Sequence, residues 1–347
     1  MVTIAAGTML GGLGMHQESR RFNPVVDLLA QKKPAFGLYA PSNPRVGGRG
    51  RGAPGAAQAG AAGAAGASGA AAAASAAAPT TPPKTPAELA RDAVAYKNAD
   101  YIFDGSMESP TNFDRAYENF AGFAKGMGEA GFVATGPVRR LTHPLFVKTP
   151  EIAADPKLAG DHIGRQLNAG ASGIVFVGAE SAEEVKQGLA MMRFKSQGGT
   201  RPDDVGSAPA LWGMSEKEYR DKADVWPLNP NGELVNFTIV ESKEGLAHVR
   251  EIAAVKGIGV LFPGAGTLGG VFSTTDSTGR RTRDDVAWEA AIQQVLSACK
   301  EFNVPCGYPA TERDIETRMK QGFSVFIIGW GEAGFRAVDI GKKAAGR

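Results

Sequence analysis

The sequence predicts an α/β protein built as a (β/α)8 TIM barrel, with one Gly/Ala-rich insert after the first strand. Three observations lead there. Eight short runs of β-branched and aromatic residues recur along the 347 residues, helix-forming stretches separate most of them, and a single segment without core-forming residues interrupts the order. A doubly wound open sheet is the competing architecture for the same alternation.

The elements follow in order. A-F-G-L-Y-A (35–40) reads as the first strand. Residues 46–84 contain no aromatic residue, no Leu or Ile and no acid, so they cannot bury enough apolar surface to offset chain entropy; the segment is expected to be disordered. T-P-A-E-L-A-R-D-A-V-A-Y-K (85–97) begins a helix with a threonine cap, a proline and an early glutamate. Strands are then expected at D-Y-I-F-D-G (100–105), G-P-V-R-R-L (136–141) and G-I-V-F-V-G (173–178). The stretches 181–192 and 242–255 each open on a serine with a glutamate close behind, again a helix start. Between and after them come strands at 235–241, 259–264, 305–310 and 324–330. The stretch 284–302 carries apolar residues at helical spacing.

Composition bounds the function. Apolar residues make up 43% and charged residues 21%, and the net charge of +2 gives no general pull toward nucleic acid. No run of ~18 apolar residues suggests a membrane span. The two cysteines, Cys299 and Cys306, are too few for a disulfide framework or a zinc cluster, and Cys306 reads as a small core residue. Residues 1–22 form a weakly apolar N-terminal tail without the basic start of a signal peptide. A cytoplasmic barrel domain over 23–347 is therefore expected; the alternative is export, with the tail as a mis-started signal.

Residues 259–270, G-V-L-F-P-G-A-G-T-L-G-G, place Gly264, Gly266 and Gly269 in a literal G-x-G-x-x-G. A dinucleotide fingerprint should form the first turn of its domain and run at once into a helix. Here the loop follows the sixth strand and leads into turn formers, so no NAD is expected. In a barrel it lies on the C-terminal face, where such folds place their chemistry.

Four stretches carry a resemblance: A-D-Y-I-F-D-G-S-M-E-S-P (99–110), P-V-R-R (137–140), I-V-E-S-K-E-G-L (239–246) and G-V-L-F-P-G-A-G-T-L (259–268). In order and spacing the chain resembles the HpcH/HpaI aldolase and citrate lyase family over about residues 25–340, the insert apart. The resemblance implies a (β/α)8 barrel and a carbon–carbon lyase of aldolase type, cleaving a 2-oxo acid or hydroxy-oxo acid through a metal- and Arg-stabilised enolate. It implies a divalent metal, Mg or Mn, and a small-molecule carboxylate substrate. Residue by residue it implies Glu241 as a metal ligand and Arg140 as the arginine that binds the oxo acid.

The sequence departs from the family at two positions. Thr267 stands where relatives have a second metal aspartate, and Glu180 is the candidate substitute. The family's histidine base is absent from the Asp104–Pro110 stretch, leaving Glu108 by alignment or His143 as base. Trp212, in V-G-S-A-P-A-L-W-G (205–213), is a candidate pocket residue along with Thr267. Each has a plainer reading: Glu241 and Glu180 as helix-start acids, His143 as a loop residue, Trp212 as packing. The two departures leave a metal-independent lyase, or a catalytically silent barrel that binds a ligand or partner, as alternatives. Family relatives are oligomers, so a homo-oligomer is expected, with Phe335 and Val338 on one helical face packing either on this barrel or on a neighbour's.

Overall fold

The computed structural model describes residues 21–43, 82–134, 136 and 138–347. The expected N-terminal tail up to residue 20 and the expected disorder of 46–81 lie outside the described residues. Eight parallel strands form the centre: β1 Ala35–Tyr39, β2 Tyr101–Asp104, β3 Leu145–Thr149, β4 Gly173–Phe176, β5 Leu234–Val240, β6 Val260–Pro263, β7 Gly307–Ala310 and β8 Val325–Ile328. Pairing runs β7–β8–β1–β2–β3–β4–β5–β6. The sheet curls until its ends meet. There β6 touches β7 through a single parallel bridge, Leu261 to Cys306, and Leu261 N–H donates to the Pro305 carbonyl at 3.0 Å. The architecture is TIM-barrel-like, with helices on the outside.

One strand differs from the sequence expectation. Residues 136–141 do not enter the sheet; Arg140–Leu141 pairs antiparallel with Val133–Ala134 in a short side hairpin, and β3 follows at Leu145–Thr149. The reason is burial. A barrel strand alternates between an apolar interior and an apolar helix layer. Adjacent Arg139 and Arg140 satisfy neither face, whereas Leu145, Phe146 and Val147 are all fully buried.

The interior is filled by large side chains set against glycines. Tyr101, Phe146, Phe237 and Phe262 form a continuous aromatic stack; Phe146 and Phe237 lie with ring centroids 4.4 Å apart. A Cβ on Gly37 would stand 2.1 Å from the Tyr101 ring, one on Gly173 2.4 Å from Phe146, and one on Gly307 2.1 Å from Phe262. Each glycine is the space its neighbour's ring occupies. The N-terminal end is plugged by helix Pro24–Ala30, whose Val25, Val26 and Leu29 join this inner cluster. Asn23 caps that helix and donates to the Glu233 carbonyl at 2.9 Å, while the Glu233 carboxylate accepts from the backbone N–H of Phe22 and Asn23.

Cys299 and Cys306 are joined in a disulfide, Cα to Cα 5.6 Å, beside the β6–β7 seam. Cys306 is buried as expected, but as a bonded half-cystine rather than a free core residue. Helix Glu332–Ala344 packs on its own barrel: Val338 is fully buried and Phe335 stacks on Tyr96 at 4.2 Å. Among the described residues no helix is long and apolar enough to cross a membrane.

The flanks of the insert are tied together. Asn43 Nδ2 donates to the Lys84 carbonyl and Lys84 N–H donates to Asn43 Oδ1, both at 2.7 Å. Both ends of the insert thus leave the barrel at one point, and Lys84 belongs to the fold. Replacing residues 44–83 by a short glycine linker should move Tm by less than about 3 °C, since halving a loop changes closure entropy by only ~0.6 kcal/mol. A thermal melt showing a large loss would mean that the segment packs on the barrel.

Candidate active site

The C-terminal ends of the strands hold the polar side chains. Side chains alternate along β3, so Lys148 faces the interior with Phe146, one layer nearer the rim. Its side chain is 5% exposed, and Nζ lies 2.8 Å from Glu108 Oε1. Glu108 comes from the loop after β2, where Asp104 Oδ1 accepts the Ser106 N–H at 2.7 Å and tightens the turn. Glu241 directly follows β5 on the same face as Phe237 and Ile239; its Oε1 accepts the Gly178 N–H at 3.0 Å. Gly264 lets the neighbouring loop approach: a Cβ there would lie 2.4 Å from Glu241 Cβ and 2.7 Å from its Oε2. That is the use of the first glycine in the G-x-G-x-x-G run, which opens helix Ala265–Val271.

Tyr39, Lys148, Glu241 and Thr267 line a small inner chamber of about 30 Å³, room for a water or two. Glu241 and Thr267 also line an outer cleft of about 820 Å³, whose walls include Glu108, Pro110, Phe113, Glu151 and His162. The cleft is large enough for a small organic acid. Burial raises the Glu108 carboxyl above the ordinary range; Lys148 opposes that rise, while Glu241 and Glu151 add to it. Burial, reinforced by the charges of Glu108 and Glu241, keeps the Tyr39 hydroxyl protonated far above its usual range.

Of the residues singled out from sequence, the structure brings together Glu108, Glu241 and Thr267. Four others lie elsewhere. Arg140 pairs with Asp27 of the plug helix at 2.7 Å, at the opposite end of the barrel. His143 precedes β3 and is 1% exposed, its ring held between Thr142 Oγ1 and the Tyr96 carbonyl, both at 2.8 Å. Trp212 is fully buried, donates to the Gly170 carbonyl at 3.1 Å and packs on Phe22 and Tyr219. Glu180 is exposed, and its carboxylate accepts from the Ser242 hydroxyl at 2.6 Å, outside the cleft. For Arg140 and His143 the cause is shared: once β3 moves to 145–149, what was assigned from 136–143 shifts to the N-terminal side.

Sequence reading missed Lys148 and Tyr39. The signal for Lys148 was present in L-F-V-K-T-P, a strand ending on Pro150 with a lysine one turn of alternation beyond a phenylalanine. Lys148 stands on the third strand, where the family resemblance led to an arginine being sought.

The residues do not make a fitted divalent cage. Glu241 offers one carboxylate with one oxygen already taken, Thr267 offers only a hydroxyl, and Glu108 is engaged by Lys148. Among the described residues no three His, Cys, Asp or Glu side chains converge on a point where an ion would sit.

An α/β barrel with a carboxylate–lysine site in its C-terminal mouth is the class of protein defined so far. The comparisons with known proteins narrow it. The HpcH/HpaI aldolase/citrate lyase family matches residues 145–333, from β3 onward, and the chain belongs to that family. It is 28% identical over 145 residues to a hydroxypyruvate/pyruvate aldolase of Paraburkholderia phytofirmans, an alignment covering 42% of this chain and 52% of that protein. The chain thus spans about half the length of that curated relative. A solved HpcH/HpaI aldolase/citrate lyase family protein from Burkholderia cenocepacia superposes with TM-score 0.57 at 18% identity, covering 88% of this chain and 92% of the other. An HpcH/HpaI aldolase from Desulfitobacterium hafniense gives 0.55 at 14%, covering 88% and 89%. At these identities the superpositions speak for the fold.

Two outcomes test the geometry. Gly264→Ala should push Glu241 off the Gly178 N–H and destabilise the fold by ~1–3 kcal/mol in urea unfolding, as overpacking does; an unchanged midpoint would mean that the loop yields freely. His143 has its pKa lowered, first by burial, so the folded state keeps it neutral. Below the ordinary value of 6.5 the unfolded chain takes up a proton that the folded chain refuses, so stability falls as pH drops through that value. Wild type should therefore lose more Tm than His143→Gln between neutral and mildly acidic pH. Equal losses would show that His143 titrates as it does in solvent.

Proposed function

We propose that the chain is a carbon–carbon lyase of aldolase type, cleaving a 4-hydroxy-2-oxo acid to pyruvate and an aldehyde in the cleft above β3 and β5. The observation that carries this reading is the pair of buried Lys148 and half-buried Glu108 at 2.8 Å, Lys148 on the inner chamber and Glu108 on the outer cleft, both of which Glu241 lines on the barrel's C-terminal face. Family membership supports carbon–carbon lyase chemistry, and the name of the Paraburkholderia relative supports a pyruvate-type product.

The chemistry asks for two things. A base must take the proton of the 4-hydroxyl, and positive charge must receive the electrons of the breaking C3–C4 bond. Glu108 is the base: burial raises its affinity for protons, and its loop faces the cleft. Lys148 supplies the positive charge from the adjoining strand, in the place for which the sequence suggested Arg140. Glu241, fixed by Gly178, and the protonated Tyr39 hydroxyl orient the substrate's polar groups. The donor set favours a metal-independent lyase.

The test is pyruvate release from a panel of 4-hydroxy-2-oxo acids, with lactate dehydrogenase as reporter. At least one substrate should turn over, and Glu108→Gln should lower kcat by a factor on the order of 10²–10⁴. The raised Glu108 carboxyl places the acidic limb of the rate profile above the ordinary carboxylate range; activity rises with pH as it ionises, and the limb disappears in Glu108→Gln. No pyruvate from any substrate would overturn the reading.

A further inference from the structure

We infer that Lys148 is a covalent catalyst, its Nζ forming an iminium with the 2-oxo carbon of the substrate. The inference rests on the aldolase reading above. It starts from a shortage: an aldol cleavage needs an electron sink, and among the described residues no group of side chains builds a divalent cage to provide one. A lysine paired with a carboxylate beside the cleft can provide one by itself, because a protonated imine draws electrons as a metal-bound ketone does.

Three features of the site fit the covalent role. First, lysine is a different tool from arginine. It lacks the two-pronged grip on a carboxylate, but its nitrogen can lose a proton and attack carbon, which a guanidinium cannot do at ordinary pH. Second, the partner that must take that proton is in contact, Glu108 Oε1 at 2.8 Å from Nζ. Third, the lysine is nearly enclosed, with 5% of its side chain exposed, and it borders the inner chamber with the Tyr39 hydroxyl. Water-poor surroundings protect an imine from early hydrolysis.

The steps balance without an oxidant or reductant. Lys148 passes a proton to Glu108, Nζ bonds to C2 as the carbonyl π bond opens, and a second Nζ proton moves to the oxygen to make it a hydroxyl. Glu108 returns its proton to that hydroxyl, water leaves, and the iminium forms. Glu108, again a carboxylate, takes the 4-hydroxyl proton; the C3–C4 bond breaks, the aldehyde departs, and its electrons form an enamine. Glu108 then protonates C3, and water hydrolyses the iminium to pyruvate, restoring the lysine ammonium.

The experiment uses the full chain with pyruvate as probe and sodium borohydride, whose hydride reduces an iminium to a stable secondary amine. Intact mass and peptide mapping read the result, with chelator present throughout. One reduced pyruvyl group on the peptide containing Lys148 is expected, and none on Lys148→Arg. Circular dichroism and a thermal melt establish that the variant is folded. Lys148→Arg keeps the charge, so it should lose pyruvate release by more than a hundredfold if the bond is covalent. Retained turnover in Lys148→Arg would overturn the inference and leave Lys148 an electrostatic partner. Pyruvate release by the wild type with no trapped adduct would overturn it while the aldolase reading stands. An adduct without cleavage of any hydroxy-oxo acid would uphold covalent capture and remove the aldolase reading. Neither adduct nor turnover would remove both.

Discussion

The fold depends on fitting aromatic rings inside a curled parallel sheet. Tyr101, Phe146 and Phe262 each lie where a neighbouring strand has glycine, at Gly37, Gly173 and Gly307. The interior of a barrel this narrow holds only a few side chains per layer. A ring on one strand must therefore be matched by an absence on the next. This matching fills the middle of the barrel, and helix Pro24–Ala30 fills its N-terminal end. Only the layer at the C-terminal rim remains for polar groups, and there Lys148, Glu241 and Tyr39 meet.

The same constraint fixes the electrostatics of the site. Lys148 follows Phe146 by two residues, so it points inward with no bulk water behind it. A buried lysine requires a partner, and Glu108 provides it at 2.8 Å. Removing either group would leave the other charged and enclosed, which costs several kcal/mol.

The polar network at the opposite end does different work. Asp27–Arg140 and Arg21–Glu233 bind the plug helix to the strand starts. At the C-terminus Arg347 and Lys342 converge on Asp100, whose carboxylate also accepts the Phe36 N–H at 2.9 Å. The cations are themselves largely covered, so the contacts hold their geometry better than exposed pairs would. Arg21 and the C-terminal residues Lys342 and Arg347 are thereby fastened to the N-terminal face, away from the cleft. The division follows the general pattern of barrels, with ion-paired fastening at the strand starts and the candidate site at the strand ends.

The sequence by itself determined the alternation of strand and helix, seven of the eight strands, and the positions of Glu241 and Thr267. These are local matters: β-branched runs and helix caps are legible without knowing what touches what. The tertiary structure decided which of two adjacent runs is β3. G-P-V-R-R-L and L-F-V-K-T are both strand-like, and only the demand for apolar contact on both faces rejects the first. That choice moved the cation of the candidate site from Arg140 to Lys148 and placed His143 in the packing before β3. It also brought Glu108 to Lys148 across forty residues of chain, because the register between β2 and β3 sets that distance and neither run encodes it alone.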